Sequence, residues 1–363
     1  LYKEVQEYFD KGMRVPDDIM LLLCDDNWGN LRMLPDPEDL DREGGFGIYY
    51  HFDYVGAPRN YKWINTNQVS RVWEQMNLAY EHGATELWIV NVGDIKPMEF
   101  PTSFFLDFAW NPEAIAAEAL PAYILSWAAE QFGSEFARPV ADALVKYTRF
   151  NSRLKPELLD WTSYSLIEGN EFERVTEDYL RLEEEVFSLG RRIPEAYKAA
   201  YFQLVEHPVS ASSNLYNLYL HTARNHLYAE QGRAATNAMA ARVSELFARD
   251  EAISERYHTI LDGKWNHIMA QTHIGYTYWQ QPEEQAMPEV YEHTAMGEAE
   301  MGVMVEGRAA MFPDSRKLEL PAIDSIADQD RWIEIFNRGG EPFAYQVSSD
   351  AGWLVLDRPE EEV

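Results

Sequence analysis

Three short apolar segments that end abruptly in polar residues constrain the fold of this chain more than any other feature. The apolar runs occupy residues 19–24, 47–50 and 86–90, and the polar residues after them occupy 25–27, 51–54 and 91–94. Apolar runs of this length, separated by helical patterns such as that at residues 67–80, are typical of parallel strands buried on both faces. The carboxyl ends of such strands meet at one edge, where the active sites of α/β folds lie, so the polar residues predict an active-site rim.

The rest of the chain has two other sequence patterns. Residues 113–281 are almost wholly helical in pattern, with apolar and aromatic positions at helical spacing in 135–147, 172–189, 194–204, 211–230 and 236–249. This pattern predicts an antiparallel helical bundle with short connections. Residues 282–317 resemble a linker, and segments 332–337, 344–347 and 352–356 predict the strands of a β domain that begins near residue 318.

The charge of the chain excludes several classes of partner. It has 61 Asp+Glu against 31 Lys+Arg, a formal net charge of −30. This charge argues against binding to nucleic acid or to anionic lipid, because both attract basic surfaces. No apolar run approaches the ~18 residues of a membrane helix, and the single cysteine, Cys24, cannot form a disulfide within the chain. We therefore expect neither nucleic acid nor a membrane as a partner.

Several common catalytic motifs are missing from the sequence. There is no P-loop, no Gly-x-Ser-x-Gly elbow and no His-Glu-x-x-His helix, and residues 44–47 lack the spacing of a dinucleotide fingerprint. His51 and Asp53 alone are too few to hold a metal, so we predict no metal and no cofactor. What remains is a rim of acids, amides, His, Tyr and Trp. Such a rim suits sugar chemistry, in which carboxylates transfer protons, amides bind hydroxyls and aromatic faces stack on pyranose rings.

Four segments of this region carry a more specific signal. They read DDNWGNLR at residues 25–32, GGFGIYYHFDYVG at 44–56, PRNYKWINT at 58–66 and WIVNVGDIKPME at 88–99. In amino-acid sequence and in order, these segments resemble glycoside hydrolase family 115, the xylan α-1,2-glucuronidases. The resemblance implies the removal of glucuronic acid or 4-O-methylglucuronic acid from O2 of xylose in glucuronoxylan. It also implies inversion by one acid and one base, which lie ~6.5–9.5 Å apart in inverting enzymes.

The same resemblance implies a multidomain architecture of α/β, α and β parts. Residues 1–112 would be the C-terminal part of a (β/α)8 (TIM) barrel, 113–281 an all-α helical bundle, 282–317 a linker and 318–363 the start of a β-sandwich. The family's N-terminal domain, its first barrel strands and the catalytic base would then lie upstream of this chain. Because fewer than eight strands cannot close such a barrel, we expect the isolated chain to be inactive.

The resemblance also assigns roles to individual residues. Glu4 matches the general acid, which would protonate the departing xylose oxygen, and Asp25 is a second catalytic candidate. Arg32 lies in the same block and offers a fork of donors to a uronate carboxylate. The remaining residues that would bind substrate are Tyr2, Asn27, His51, Tyr54 and Asn91.

Most of these residues also have a structural interpretation that the sequence leaves open. Glu4 could be a solvated acid, Asp25 could serve turn geometry, His51 could be a packed histidine and Arg32 could pair with a nearby acid. Asn91 differs from them, since an amide directly after a buried strand has no obvious packing role.

Residues near these candidates raise the same question. Asp26 would point away from the rim as a structural residue. The motif tryptophans Trp28 and Trp63 could stack on sugars or belong to the core.

Two rival functions stay open. One is a glycoside hydrolase of other sugar specificity, and the other is a non-catalytic carbohydrate-binding or scaffold fragment. For the glucuronidase, the expected partners are glucuronoxylan or aldouronic-acid oligosaccharides, and the family resemblance suggests a homodimer. An extracellular or periplasmic location is expected because a polymeric substrate cannot cross a membrane.

Overall fold

A computed structural model describes residues 2–323 and 330–363 of the chain. Residue 1 lies outside the described residues, and so do residues 324–329 of the predicted β domain. The chain divides into two units. Unit 1 comprises Leu1–Leu158, Arg181–Ser212 and Ala252–Ala286, and unit 2 comprises Leu159–Leu180, Ser213–Glu251 and Met287–Val363. In the part of the chain that the structure describes, no helix has both the length and the apolarity to span a bilayer.

Unit 1 contains a parallel sheet of three strands. Helix α1 (Lys3–Asp10) precedes the strands β1 (Leu21–Cys24), β2 (Phe46–His51) and β3 (Leu87–Asn91), which pair in that order. Cys24 pairs with Tyr49, and His51 pairs with Asn91, so the strands end at one edge of the sheet. The three predicted strands are confirmed to within about two residues at each end.

Two helices accompany these strands, α2 (Val69–Glu81) and α3 (Glu99–Trp110). Helix α2 confirms the pattern at residues 67–80, and its buried residues include Val72 and Met76 at helical spacing. Gly83, with a φ of 83°, follows the end of α2, where a left-handed residue stops a helix at no steric cost.

Strand β3 is not buried on both faces, contrary to the prediction. Trp88 packs on Phe105 and Phe108 of α3, with ring centroids 6.1 and 5.9 Å apart. On the opposite face Leu87 and Ile89 stay 42% and 40% exposed. The correction has a simple physical reason: α3 covers only the face that carries Trp88, whereas an apolar run by itself does not reveal which faces of a strand are covered.

Six further helices follow among the described residues. The last five confirm the predicted helical segments, whereas the first was not among them. They are α4 (Leu120–Phe132), α5 (Ser134–Arg153), α6 (Glu171–Gly190), α7 (Glu195–Tyr201), α8 (His207–Glu230) and α9 (Thr236–Gly263). Helix α9 is longer than predicted and loses helical geometry near its end, at residues 260–262.

The dipeptide His207-Pro208 does not interrupt the helix as its proline suggests. A π-helical turn, Phe202–Glu206, connects α7 to α8, and α8 already begins at His207. Pro208 has no N–H to donate to the carbonyl of Leu204 in a regular helix. A widened turn is a common way to relieve such a defect while the helix continues.

Unit 2 holds two small antiparallel sheets. In the first, β4 (Met301–Val305) lies between β5 (Met311–Phe312) and β6 (Ile333–Asn337). In the second, β7 (Ala344–Gln346) pairs with β8 (Glu360–Glu362). Met304, Met311 and Phe336 form a buried cluster on the first sheet.

Two sequence interpretations of unit 2 differ from this structure. The segment interpreted as a linker, residues 282–317, contains β4 and β5. The strand predicted at residues 352–356 is absent, and Glu360–Glu362 pairs with β7 instead. Val355 is 90% exposed, so its apolar side chain gains nothing from burial there and the alternating pattern alone does not form a strand.

Candidate active site

Asp25 and His51 form a buried pair where β1 and β2 end. Asp25 is the first residue after β1 and His51 is the last of β2. The Oδ1 atom of Asp25 lies 2.6 Å from Nδ1 of His51, and Oδ2 accepts the backbone N–H of His51 at 3.2 Å. The two side chains are 0% and 3% exposed. The adjacent parallel strands therefore hold the carboxylate and the imidazole in one orientation.

Tyr2 extends this pair to a chain of three side chains. Its hydroxyl lies 2.9 Å from Nε2 of His51. Because Nδ1 faces the carboxylate of Asp25, a neutral His51 carries its proton on Nδ1 and accepts the Tyr2 hydroxyl at Nε2. Tyr49 and Tyr54 pack on the imidazole with ring centroids 4.5 and 4.7 Å away. The ring of His51 is thus held at both its nitrogens and packed against two tyrosine rings.

Burial controls the protonation of this cluster. It raises the pKa of the Asp25 carboxyl, although the hydrogen bond from His51 acts in the opposite direction. Burial also raises the pKa of Tyr54 to about 12 and that of Tyr2 well above its usual value. Both phenols are therefore neutral hydrogen-bond donors at neutral pH.

Glu4 lies in the first turn of α1, two residues after Tyr2, and its side chain is exposed. It is near enough to the end of β1 to contribute to the raised pKa of Cys24, which is caused mainly by burial of that thiol. An exposed carboxyl at this edge is accessible to a ligand that approaches the strand ends.

The loop after β1 carries Asn27 and Arg32. Asn27 donates from Nδ2 to the carbonyl of Gly56 at 3.3 Å, and the exposed Arg32 donates from Nε to Oε1 of Gln6 at 3.3 Å. Asp26 accepts the N–H of Trp28 at 2.9 Å, which confirms that it is a structural residue of the turn.

Asn91, at the end of β3, has a structural role that its sequence position did not reveal. It donates from Nδ2 to the carbonyl of Asp53 at 3.1 Å and accepts the N–H of Gly93 at 3.1 Å. The expectation that this amide lacks a packing role is therefore wrong. Asn91 connects the residues after β2 to those after β3, next to its register partner His51.

Two buried carboxyls near the strand ends were not among the predicted residues. Asp53 is 7% exposed, and burial raises its pKa to about 6. Glu157, 2% exposed, accepts the N–H groups of Lys62 and Trp63 at 2.9 and 3.1 Å. The position of Asp53 two residues after His51 was a usable signal, whereas the position of Glu157, far along the chain, was not.

The structure distinguishes the two motif tryptophans. Trp63 is 2% exposed and stacks on His273 with ring centroids 3.4 Å apart, so it belongs to the core. Trp28 is 58% exposed at the turn after β1 and is free to stack on a ligand. Among the described residues, no three His, Cys, Asp or Glu side chains group in a way that could hold a metal.

The residues of this site fall within one matched segment. Residues 1–158 match the sequence profile described as glycosyl hydrolase family 115. Over this segment the chain is similar to glycosyl hydrolase family 115. The match confirms the resemblance drawn from the four sequence segments, and the family 115 segment includes Tyr2, Glu4, Asp25, His51 and also Glu157.

A solved structure extends the likeness beyond the family 115 segment. It is BtGH115A, described as a family GH115 4-O-methyl-α-glucuronidase with specificity for decorated arabinogalactans. It matches this chain with a TM-score of 0.65 and 29% sequence identity, over 74% of this chain and 36% of that chain. This chain thus spans about a third of the length of that solved relative. No curated protein matches the sequence significantly.

Proposed function

We propose that this chain is part of a glycoside hydrolase that removes glucuronic acid, or its 4-O-methyl derivative, from a polysaccharide. The observation that carries the proposal is the chain of hydrogen bonds from Tyr2 through His51 to Asp25 inside the family 115 segment. The description of BtGH115A as a 4-O-methyl-α-glucuronidase supports the same class of substrate.

The proposed architecture follows the family. The sheet β1–β3 with α2 and α3 would be part of a (β/α)8 barrel, helices α4–α9 a bundle, and β4–β8 part of a β-sandwich. Within this arrangement the strand ends face the catalytic side of the barrel. Since three strands do not close a barrel, the proposal includes little or no turnover by this chain alone.

In the proposed mechanism Glu4 donates a proton to the oxygen that leaves with the polysaccharide. As that C–O bond breaks, water attacks the opposite face of the anomeric carbon and gives its proton to the catalytic base, so the configuration inverts. Asp25 and Tyr2 hold the two ring nitrogens of His51 in place. The hydroxyl of Tyr54 and the guanidinium of Arg32 donate to the uronate.

Two polysaccharides are candidates for the substrate. The family resemblance favours glucuronic acid linked α-1,2 to xylose in glucuronoxylan. The specificity described for BtGH115A favours decorated arabinogalactan instead. In both, the released acid is the same and only the sugar that carries it differs.

The test uses the longer protein in which the barrel is closed. Glu4→Gln and Asp25→Asn are each expected to lower the release of free (4-O-methyl)glucuronic acid at least about 100-fold, because each removes a group that transfers or orients a proton. Glu7→Gln is the matched control, an exposed acid on the same helix. Product is measured by NMR on glucuronoxylan and on arabinogalactan, and early spectra give the anomer released.

Each result of this test has a defined meaning. A first-formed product of inverted configuration, lost in both active-site variants and kept in Glu7→Gln, supports the proposal. Full turnover by Glu4→Gln and Asp25→Asn on both polysaccharides rules out the assigned roles. Release by wild type from only one polysaccharide identifies the carrier sugar.

A further inference from the structure

A cavity opens beside the strand ends of unit 1. It has a volume of about 650 Å³ and is lined by the residues after β2 and β3 and by residues of the segment after α9. Val55, Asn60 and Lys62 contribute from one side, and Gln271 and Gln281 from the other. The volume is in the range that holds a small ligand.

The cavity and the candidate active site share one structural element. The chain between Tyr54 and Tyr61 forms a short hairpin, in which these two residues exchange backbone hydrogen bonds of 3.0 and 3.1 Å. Tyr54 packs on the imidazole of His51, whereas Val55 and Asn60 of the same hairpin line the cavity. A ligand in the cavity therefore lies next to the element that contacts the active-site histidine.

The wall of the cavity is held by buried hydrogen bonds. Asn60 is 1% exposed, and its backbone N–H donates to the carbonyl of Trp279 at 2.7 Å. Its side chain donates to Oε1 of Gln281 at 2.7 Å and accepts the N–H of Gly56 at 2.8 Å. The hydroxyl of Thr272 donates to the carbonyl of Pro282 at 2.7 Å. A wall held in this way does not have to be ordered when a ligand binds.

The cavity presents both donors and acceptors that are not used within the described chain. Gln281 uses only its Oε1 and Gln271 uses one N–H of its Nε2, which leaves the Nε2 of Gln281 as a donor and the Oε1 of Gln271 as an acceptor for a ligand. Lys62 adds a cation and the exposed Asp94 adds a carboxylate, and neither side chain makes an ion pair with a described residue.

This mixture of groups favours one class of ligand. A sugar hydroxyl is at once a donor and an acceptor, so it can use amides, an ammonium group and a carboxylate together. Val55, Ile268 and Pro282 supply apolar contacts of the kind that the C–H faces of a pyranose need. An anionic ligand would meet Asp94 and Glu283 as well as Lys62, so the charges do not favour it.

We infer that this cavity is a subsite for the neutral sugar chain of the polysaccharide, beside the residue that carries the uronic acid. The inference rests on the proposed function for the identity of the polymer, but the binding of neutral sugars does not require turnover. Through Gln271 and Asp94, the subsite would raise the affinity for a decorated polymer above that for a small glucuronide. The residues that contact the uronic acid would not contribute to this difference.

Binding of neutral oligosaccharides tests the subsite directly. The full-length protein is titrated calorimetrically with xylotetraose and, in a separate arm, with a galactose tetrasaccharide. We expect one of them to bind, and we expect Gln271→Ala and Asp94→Ala each to weaken that binding about 3–10-fold, since each removes one polar contact. Gln131→Ala, an exposed glutamine on α4 that does not line the cavity, is the matched control.

The outcomes separate this inference from the proposed function. Binding that weakens in the two cavity variants, but not in Gln131→Ala, supports the subsite even if no uronic acid is released. If neither tetrasaccharide binds, or if both cavity variants bind as tightly as wild type, the subsite is ruled out even where turnover is normal. Heat-denaturation curves of all variants show that a lost affinity is not a lost fold.

Discussion

Asp25 and Asp53 are two buried carboxyls with different surroundings. Asp25 accepts two hydrogen bonds from His51. The side chain of Asp53 accepts none from any residue that the structure describes, and Gly93 lies so close that a Cβ there would meet its Oδ2 at 2.4 Å. Burial therefore acts on Asp53 with little compensation other than from Lys62, and its pKa is raised to about 6.

This difference predicts that Asp53→Asn stabilises the protein at neutral pH. The folded state binds the Asp53 proton more tightly than the unfolded chain does, so wild type loses stability as the pH rises from about 4 to about 6. Above that window the variant should have a free energy of unfolding about 2–3 kcal/mol higher than wild type. Chemical denaturation at pH 4, 5, 6 and 7.5 measures the difference.

The control for this prediction is Asp41→Asn, which removes an exposed carboxyl from the same unit. Its stability should follow that of wild type across the pH range. A gain or loss from Asp53→Asn that is the same at pH 4 and pH 7.5 would show that ionisation of Asp53 does not affect folding.

At the scale of elements, Glu157 attaches the segment after α5 to the chain between β2 and α2. Its Oε1 accepts the backbone N–H groups of both Lys62 and Trp63, while Arg59 donates to its backbone carbonyl at 3.2 Å. These bonds position the end of the hairpin that carries Tyr54. The buried carboxylate of Glu157 thus connects the segment after α5 to the rim of the candidate site.

Truncation of this acceptor should be far more damaging than neutralisation of its charge. Glu157→Ala leaves two N–H groups without an acceptor, and we expect the free energy of unfolding to fall by about 2–4 kcal/mol. Glu157→Gln replaces the carboxylate oxygen by an amide oxygen, which still accepts hydrogen bonds, and it removes the buried charge. The free energy of unfolding should therefore fall by at most about 1 kcal/mol. Urea denaturation at pH 7 measures both.

Glu118→Ala, at an exposed acid of the same unit, serves as the reference for a simple loss of negative charge. The proposed role of Glu157 is contradicted if the Ala and Gln variants lose equal stability, because the two accepted hydrogen bonds would then contribute nothing.

At the scale of the whole molecule, the net charge of −30 opposes the approach of an acidic sugar. Local donors such as Tyr54 and Arg32 must therefore bind the uronate against the overall field. Screening reduces that field, since the Debye length falls from ~30 Å at about 10 mM salt to ~10 Å at about 0.1 M.

We therefore expect added salt to accelerate the binding of an acidic ligand. The association rate constant of an aldouronic-acid oligosaccharide should rise at least about twofold between those two salt concentrations. The neutral tetrasaccharide that binds the protein is the control, and its rate constant should change little. Stopped-flow tryptophan fluorescence measures both, and a slower association of the acidic sugar at the higher salt concentration would contradict the prediction.

Local patterns were sufficient to predict much of this fold. The three apolar runs predicted β1–β3, and helical spacing predicted α2 and α5–α9, because these elements follow from neighbours in the sequence. The exposed face of β3, the π-helical turn before Pro208 and the pairing of β7 with β8 were not predictable in this way. Each depends on which part of the chain packs against the element.

The sequence by itself determined which functional groups lie at the strand ends and which family profile residues 1–158 match. Only the tertiary structure decided how those groups contact one another. Asp25 and His51 are 26 residues apart, Tyr2 and His51 49 apart, Lys62 and Glu157 95 apart, and Asn60 and Gln281 221 apart. Hydrogen bonds over such separations form only after packing has fixed the backbone, because their length and angle tolerances are narrower than any local pattern can specify.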